Sequence, residues 1–426
     1  MTSYQKPKGT YDILPGDSDI WNQVEEDARR IFSLYGYKNI RTPMFEDYNV
    51  FARNVGETSD IVQKEMYDFK DKGDRHITLR PEGTAGVVRS YVENKLYGPE
   101  YPKPYKVYYM GPMFRYERPQ SGRQREFHQI GVEALNSESP EIDVEVISMA
   151  MQLIQEFKVP NIKLVINSLG NKEVREKYRK ALISYLEPFY DDLSEDSKNR
   201  LYKNPLRILD SKDEKDKEIS KNAPSILDYL DDYSKNYFET VKSLLTDLNI
   251  KFEVDNQMVR GLDYYNQTIF EIMTDSKALG NGYTTICAGG RYNGLISQLG
   301  GPEEGGIGFG LGVERLIILL KAENEEFVKK NSGQFYAVSV DDAGNKYAFE
   351  LIQKLRAKGI IADKDYQGIK IGKQIKEAER FGYKYYAVFG NDEVKNGKFE
   401  LQSVDSNNSI EVTYSDFIKN PDKYLK

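Results

Sequence analysis

Met110-Gly111-Pro112-Met113-Phe114-Arg115-Tyr116-Glu117, the polar segment 118–124 and the return Arg125-Glu126-Phe127-His128-Gln129-Ile130-Gly131-Val132-Glu133 form the stretch that decides the fold. Read as two strands and a loop, its side chains alternate between faces, so Met113, Arg115 and Glu117 share one face while Phe114 and Tyr116 share the other. On the return, Phe127, Gln129, Gly131 and Glu133 point one way, and His128, Ile130 and Val132 the other. One face therefore carries an arginine, two glutamates, a glutamine and an aromatic ring. A lone hairpin of this kind reads most simply as a sheet edge with a solvated face. The rest of the chain is what gives that face a use, and His128, on the opposite face, is set aside as a site residue.

The chain has 426 residues, of which 39% are hydrophobic, enough for two or three domains with real cores. Lys and Arg total 60 against 67 Asp and Glu, a formal charge of -7, which argues against a polybasic nucleic-acid coat but leaves room for a local basic surface. Cys287 is the single cysteine, so no intrachain disulfide can form; with only His76 and His128 present, a zinc site would need mostly carboxylates. No apolar run approaches the length needed to span a bilayer, and the first eight residues lack a signal-peptide core. A cytoplasmic protein is expected.

Upstream of the hairpin, Ile20, Trp21, Val24, Ala28, Ile31, Phe32 and Tyr35 recur at three-to-four spacing and predict a helix over 17–35, with Asp17-Ser18-Asp19 offering capping oxygens. Residues 39–46 read as a strand-like run in which Pro43 forces an edge or a kink. His76 to Arg80 predicts a strand that stops at Pro81 and turns through glycine into a helix beginning near Thr84. Glu82 and Thr84 sit at that turn, where plain helix capping, which Thr84 could supply alone, competes with a functional role. His76 reads as a surface residue.

Downstream, 161–255 carries charge runs such as Ser211-Lys212-Asp213-Glu214-Lys215-Asp216-Lys217-Glu218 between helical segments. These read as solvated helices of an inserted module without a catalytic constellation. Arg260-Gly261-Leu262-Asp263-Tyr264-Tyr265 precedes a strand over 267–273. A second strand over 283–287 is expected to end in a turn at Ala288-Gly289-Gly290-Arg291-Tyr292. Gly306-Ile307-Gly308-Phe309-Gly310-Leu311-Gly312 lacks the spacing of a dinucleotide fingerprint and reads as a strand leading into an apolar helix with Arg315 in its first turn. A cation there opposes the helix dipole and calls for an anionic or aromatic ligand. After a linker at 329–333, strands over 334–340, 360–364 and 385–389 alternate with helices over 344–358 and 368–381. Residues 354–384 hold nine Lys or Arg against four Asp or Glu, a local surplus that suits a nucleic-acid surface as well as a solvated helix face.

Arg115, Arg260 and Arg315 on separate segments, with Glu82, Glu117, Gln129, Glu133 and several aromatics, suit an anionic nucleotide beside a small zwitterion. No nucleophilic triad is assembled. The chemistry implied is displacement at phosphorus, which depends on positioning and cationic stabilisation.

These residues carry a family resemblance. Phe114-Arg115-Tyr116-Glu117 with its loop and return strand resembles motif 2 of class II aminoacyl-tRNA synthetases; the helix and strand ending at Pro43 resemble motif 1, and Gly308 to Arg315 resembles motif 3. Arg260 to Tyr265 and Ala288 to Tyr292 match the two histidine-specific motifs of the histidyl-tRNA synthetase family, and Lys8-Gly9-Thr10-Tyr11-Asp12 also fits. The resemblance implies an α+β catalytic domain over 1–325, built on a mixed, mainly antiparallel six-stranded sheet. It also implies a mainly helical insertion over 170–255, a C-terminal α/β anticodon-binding domain over 333–426, and a homodimer. By motif, Arg115 and Arg260 are expected to be catalytic. Arg115, Glu117, Arg123, Phe127 and Arg315 are expected to hold ATP, with Mg2+ bound mainly through its phosphates and no protein metal site. Glu82, Thr84, Gln129, Glu133, Tyr264, Tyr265 and Tyr292 are expected to hold histidine. The implied activity is histidine-tRNA ligation, with tRNA(His) as macromolecular partner. A histidine-binding regulatory subunit without catalysis and a class II synthetase for another amino acid are the rival readings.

Overall fold

The computed structural model describes residues 4–52, 61–324, 327, 333–406 and 408–425, and the chain divides into two compact units, Met1–Phe327 and Val328–Lys426. Residues 329–332 of the expected linker lie outside the described residues.

The first unit is built on one eight-stranded sheet. Its six long strands run antiparallel throughout, in the spatial order Tyr105–Phe114, Glu126–Leu135, Gly306–Gly312, Thr284–Arg291, Asn266–Thr274, Ile162–Ser168. A two-residue parallel strand is added at each edge, Lys38–Asn39 beside the first and Glu253–Val254 beside the last. The six-strand expectation thus describes the antiparallel body, and the two short edge strands make the sheet mixed. The hairpin pairs Met113 with Phe127, Gly111 with Gln129, Tyr109 with Gly131 and Val107 with Glu133. This register puts Phe127, Gln129 and Glu133 on one face, as alternation requires.

Helix Asp17–Leu34 buries Ile20, Trp21, Val24, Ala28, Ile31 and Phe32, of which Ile20, Val24, Ile31 and Phe32 each contribute about 1.5–3 kcal/mol by leaving water. Its start differs from expectation: Gly16 occupies the N-cap and no side chain caps the helix, so Asp17 and Asp19 serve its start through the helix dipole, and Asp17 also pairs with Lys321 at 2.6 Å. The helix lies beside Pro140–Glu156, whose buried face covers the sheet. Residues 39–46 do not form one strand. Pro43 cannot donate to a ladder, and the run breaks into Lys38–Asn39 in the main sheet and Phe45–Asp47 in a separate three-stranded sheet with Asp68–Lys70 and His76–Leu79. His76 is exposed there, stacked on Tyr48 at 4.0 Å and 2.7 Å from Asp68.

The expected turn at 288–291 is instead strand, because Thr284–Arg291 continues through both glycines. Gly289 pairs with Phe309 and Gly290 with Gly308, and a Cβ on Gly289 would collide with the Gly308 carbonyl, so glycine permits pairing where a turn was expected. The strand carries Arg291 away from the site: it is fully buried, in an ion pair with Asp143. Removing either partner would strand a buried charge, at a cost of about 3–5 kcal/mol.

The segment 172–247 is helical, with side-chain N-caps from Asn171, Ser194, Asp213 and Asp231. One member of its charge runs is not solvated: Asp216 is buried and accepts hydrogen bonds from the hydroxyls of Ser194, Ser197 and Ser211, each at 2.6 Å.

The second unit has a five-stranded sheet in the order Ala362–Lys364, Phe335–Ser339, Tyr385–Phe389, Lys398–Ser403, Ser409–Thr413. The first three strands are parallel and the last two antiparallel; that final hairpin and the helices Asn391–Asn396 and Tyr414–Lys419 extend the expected α/β pattern. Phe335, Leu351, Phe389, Phe399 and Phe417 form a core of its own. Of the basic surplus, Lys370, Lys373, Lys376 and Arg380 are exposed along Ile371–Arg380 and its start, whereas Lys364 is buried and Arg356 is spent on Asp363 at 2.9 Å.

Candidate active site

Strand alternation raises a row of polar side chains from the sheet, and small residues on neighbouring strands leave room for them. A Cβ on Gly131 would collide with the Tyr109 ring, and one on Gly308 with the Glu133 carboxylate. The glycines in these strands therefore make space for two large polar groups above the sheet.

Glu133 is the centre of one half of the site. It is fully buried and accepts hydrogen bonds from Thr84 Oγ1 at 2.7 Å, from Tyr109 Oη at 3.4 Å and from the Tyr292 hydroxyl. Burial pushes its carboxyl up to about 8, against the pull of these donors. Glu82 lies on the same wall. Its two oxygens accept from the backbone N–H groups of Thr84 at 2.6 Å and Ala85 at 2.8 Å, so Glu82 caps the helix Thr84–Glu93 and frees the Thr84 hydroxyl for Glu133. The capping role expected of Thr84 belongs to Glu82. Both Glu82 oxygens keep lone pairs for a further donor, and burial raises this carboxyl too. Tyr264 packs between Tyr265, at 4.7 Å, and Tyr292, at 5.7 Å; all three rings are buried, and burial holds the hydroxyls of Tyr264 and Tyr292 well above the ordinary tyrosine value.

The other half is an open cavity of about 470 Å³ lined by Arg115, Glu117, Arg123, Phe127, Gln129, Arg260 and Arg315. The strand ends at Phe114, and Arg115 is held just beyond it: its backbone N–H bonds to the Arg125 carbonyl at 2.9 Å, its Nε to the Pro81 carbonyl at 2.9 Å, and its guanidinium lies 5.2 Å from the Phe127 ring centre. Arg123 reaches Glu117 at 3.4 Å and is 42% exposed. Arg315 enters from the helix Val313–Glu323 and donates to the Thr285 carbonyl; burial, with Arg123 nearby, lowers its proton affinity, the electrostatics of a place that an anion would relieve. Arg260 forms an ion pair with Glu271 and lies 5.6 Å from the Tyr265 ring centre, where the two halves meet.

All the residues singled out by sequence lie in one of these two halves. Several lining groups escaped that reading. Glu271 and Thr285 hold Arg260 and Arg315, and Tyr109 donates to Glu133. Glu271 had a signal, as the one charge in Ile269-Phe270-Glu271-Ile272-Met273. Asp210 and Lys212 line the open cavity, although their stretch reads as solvated helix; only the tertiary fold brings them there. His128 lies on the far face, as alternation requires, its backbone N–H and Nδ1 on Glu314 at 2.8 and 3.0 Å. Tyr11 also donates to Glu314, at 3.1 Å, and the Gly9 carbonyl accepts from Arg125 N–H at 2.8 Å, so the 8–12 motif braces the hairpin from outside. Among the described residues no three His, Cys, Asp or Glu side chains are arranged to hold a metal ion.

Comparison with known proteins fits this geometry. Residues 9–316 match the family model described as histidyl-tRNA synthetase, and residues 328–421 match that of an anticodon binding domain. Histidine-tRNA ligases of Latilactobacillus sakei and Ligilactobacillus salivarius are 60% and 58% identical, covering 96% and 97% of this chain and 94% and 96% of theirs. The crystal structure of apo S. aureus histidyl-tRNA synthetase matches with a TM-score of 0.84 at 42% identity, over 98% of this chain and 99% of that one. The chain belongs to the histidyl-tRNA synthetase family.

Proposed function

We propose that this chain ligates histidine to tRNA(His) in two steps at the site described, with ATP as co-substrate. In the first, a carboxylate oxygen of histidine attacks the α-phosphorus of ATP, and pyrophosphate leaves. In the second, the 3′-terminal hydroxyl of the tRNA attacks the acyl carbon of histidyl-adenylate and AMP leaves. The observation that carries this reading is the junction itself, where a cavity gathering Arg115, Arg123, Arg260 and Arg315 meets the buried Glu133 pocket.

The roles follow from chemistry. A carboxylate must approach a polyphosphate, so Arg115 and Arg260 are the guanidinium groups that offset repulsion and stabilise charge on the α-phosphate, each worth about 10²–10³-fold. Glu117 and Phe127 hold the adenine from one side and Arg315 stacks from the other, while Arg123 reaches the outer phosphates. Glu82, Thr84 and Gln129 take the ammonium of histidine. Glu133, with Tyr264, Tyr265 and Tyr292 around it, reads the imidazole by hydrogen bonds, the kind of recognition that rejects a side chain lacking those groups. Mg2+ would arrive with the ATP phosphates and supply charge neutralisation of the leaving pyrophosphate; two of the cavity carboxylates, Glu117 and Glu271, are paired with Arg123 and Arg260.

We assign residues 1–325 to catalysis, with 170–255 inserted, and 333–426 to the anticodon, where exposed Lys370, Lys373, Lys376 and Arg380 suit a phosphate backbone. The exposed Phe45 and Phe69 on the three-stranded sheet, with Met44 just before it, suit the interface of a homodimer, since such apolar groups are costly to leave in water. No helix among the described residues is long and apolar enough to cross a membrane, and a cytoplasmic enzyme is the setting we propose. The test is ATP-pyrophosphate exchange with each of the twenty amino acids in turn. Exchange with histidine alone is expected; a missing histidine signal sinks the proposal.

A further inference from the structure

One charged side chain at the centre of the site has no part in the roles above. Glu271, on Asn266–Thr274, forms an ion pair with Arg260 Nη1 through Oε1, and its Oε2 accepts from Thr285 Oγ1 at 2.5 Å. The backbone carbonyl of the same Thr285 accepts from Arg315 Nη1. A continuous chain of polar contacts thus runs from Arg260, where the two halves of the site meet, through two adjacent strands to Arg315 in the nucleotide cavity. Arg260 Nε is buried without a partner, so Glu271 is the group that fixes the direction of its guanidinium. Burial works against the charge of Arg260, and Glu271 outweighs it, keeping the guanidinium above its ordinary value.

We propose that Glu271 is a positioning residue for adenylate formation: seated by Thr285, it holds Arg260 aimed at the reacting carboxylate and α-phosphate without touching either. An arginine has four rotatable bonds, and a planar guanidinium contributes to a transition state only when its donors are already aligned. A displacement of about 1 Å in such a group can cost on the order of 100-fold in rate. Holding one edge of the guanidinium on Glu271 leaves the amino groups away from that edge to face substrate, and the Thr285 carbonyl ties the same framework to Arg315. The effect belongs in the chemical step and not in ground-state binding, because both Glu271 oxygens are already engaged, one by Arg260 and one by Thr285.

The inference rests on the role proposed for Arg260, and the experiment separates the two. Histidine-dependent ATP-pyrophosphate exchange is measured for Arg260→Ala, Glu271→Gln and Thr285→Val, with thermal melting of each. Glu271→Gln keeps shape and the acceptor for Thr285 but loses the charge that grips Arg260. The expected result is a kcat at least ~10-fold lower with the KM values for histidine and ATP within ~2-fold. Thr285→Val, which frees Glu271 while keeping the carbonyl, is expected to show the same split at a smaller size. Loss of exchange in Arg260→Ala with kcat unchanged or raised in Glu271→Gln would overturn the positioning role and leave Arg260 in place. Retained exchange in Arg260→Ala would instead remove the role of Arg260, and the role of Glu271 with it.

Discussion

The two halves of the site are built on opposite principles. Around Glu133 the carboxyl of Glu82 and the hydroxyls of Thr84, Tyr109 and Tyr292 are buried and already hydrogen-bonded within the protein. Around Arg115, Arg123 and Arg315 the cavity is open, the arginines are partly exposed, and like charges face one another. A ligand entering the first half must replace bonds that exist, which punishes any group of the wrong shape or polarity. A polyanion entering the second relieves a strain of charge and needs little shape. On the proposed reading, selection belongs to the half that takes histidine, and attraction to the half that takes ATP.

That contrast can be broken at its junction, where the largest effect is expected. Arg260→Ala should lower histidine-dependent exchange by about 10²–10³-fold or more, with a lower melting temperature, since Glu271 loses its partner, but a folded protein; exchange kinetics and a thermal melt measure both. In the amino-acid half, Glu133→Gln keeps the volume and replaces the titrating carboxyl with an amide. It should cut kcat/KM for histidine by about 2- to 10-fold, the worth of a neutral hydrogen bond of ~0.5–1.5 kcal/mol, while KM for ATP moves little.

The same variant sharpens the pH dependence. In the unfolded chain the Glu133 carboxyl ionises near 4.5, whereas in the fold it keeps its proton to about 8. Between those values ionisation favours the unfolded chain, so the stability contributed here is full below about 4.5 and lost as pH rises through about 8. Ligand-free protein should lose on the order of a few kcal/mol across that window, and Glu133→Gln should lose less. Denaturant melts of both proteins at pH 6 and pH 8.5 measure the difference; parallel declines would count against it.

The smallest effect on stability belongs to the open half. Arg123 and Glu117 form a partly exposed pair, worth about 0–1 kcal/mol, so Arg123→Ala should barely move the melt while raising KM for ATP several-fold. A large loss of stability would mean that the nucleotide half is structural as well.

Legibility in the sequence followed the range of the interactions. Strand alternation in 110–133 was enough to put Glu133 and Gln129 on one face and His128 on the other, because a period of two is local. Helix 17–34 was legible for the same reason, although its cap was not: Gly16 has no side chain to signal with. The glycines at 289 and 290 read as a turn because close strand approach depends on Phe309 and Gly308, about twenty residues further on. Glu82 and not Thr84 caps the helix, because the Thr84 hydroxyl has a distant partner in Glu133. Asp210 and Lys212 carry no local mark at all; their place on the cavity exists only once the helical segment has folded.

The contrast between a formed pocket and an open one is tested most directly by titrating histidine alone into the ligand-free protein in a calorimeter, at low and at high salt. The account predicts saturable binding of histidine without ATP, with an affinity that salt changes little, since buried groups are screened far less than exposed ones. Absence of histidine binding until nucleotide is added, or an affinity that collapses with salt, would contradict it.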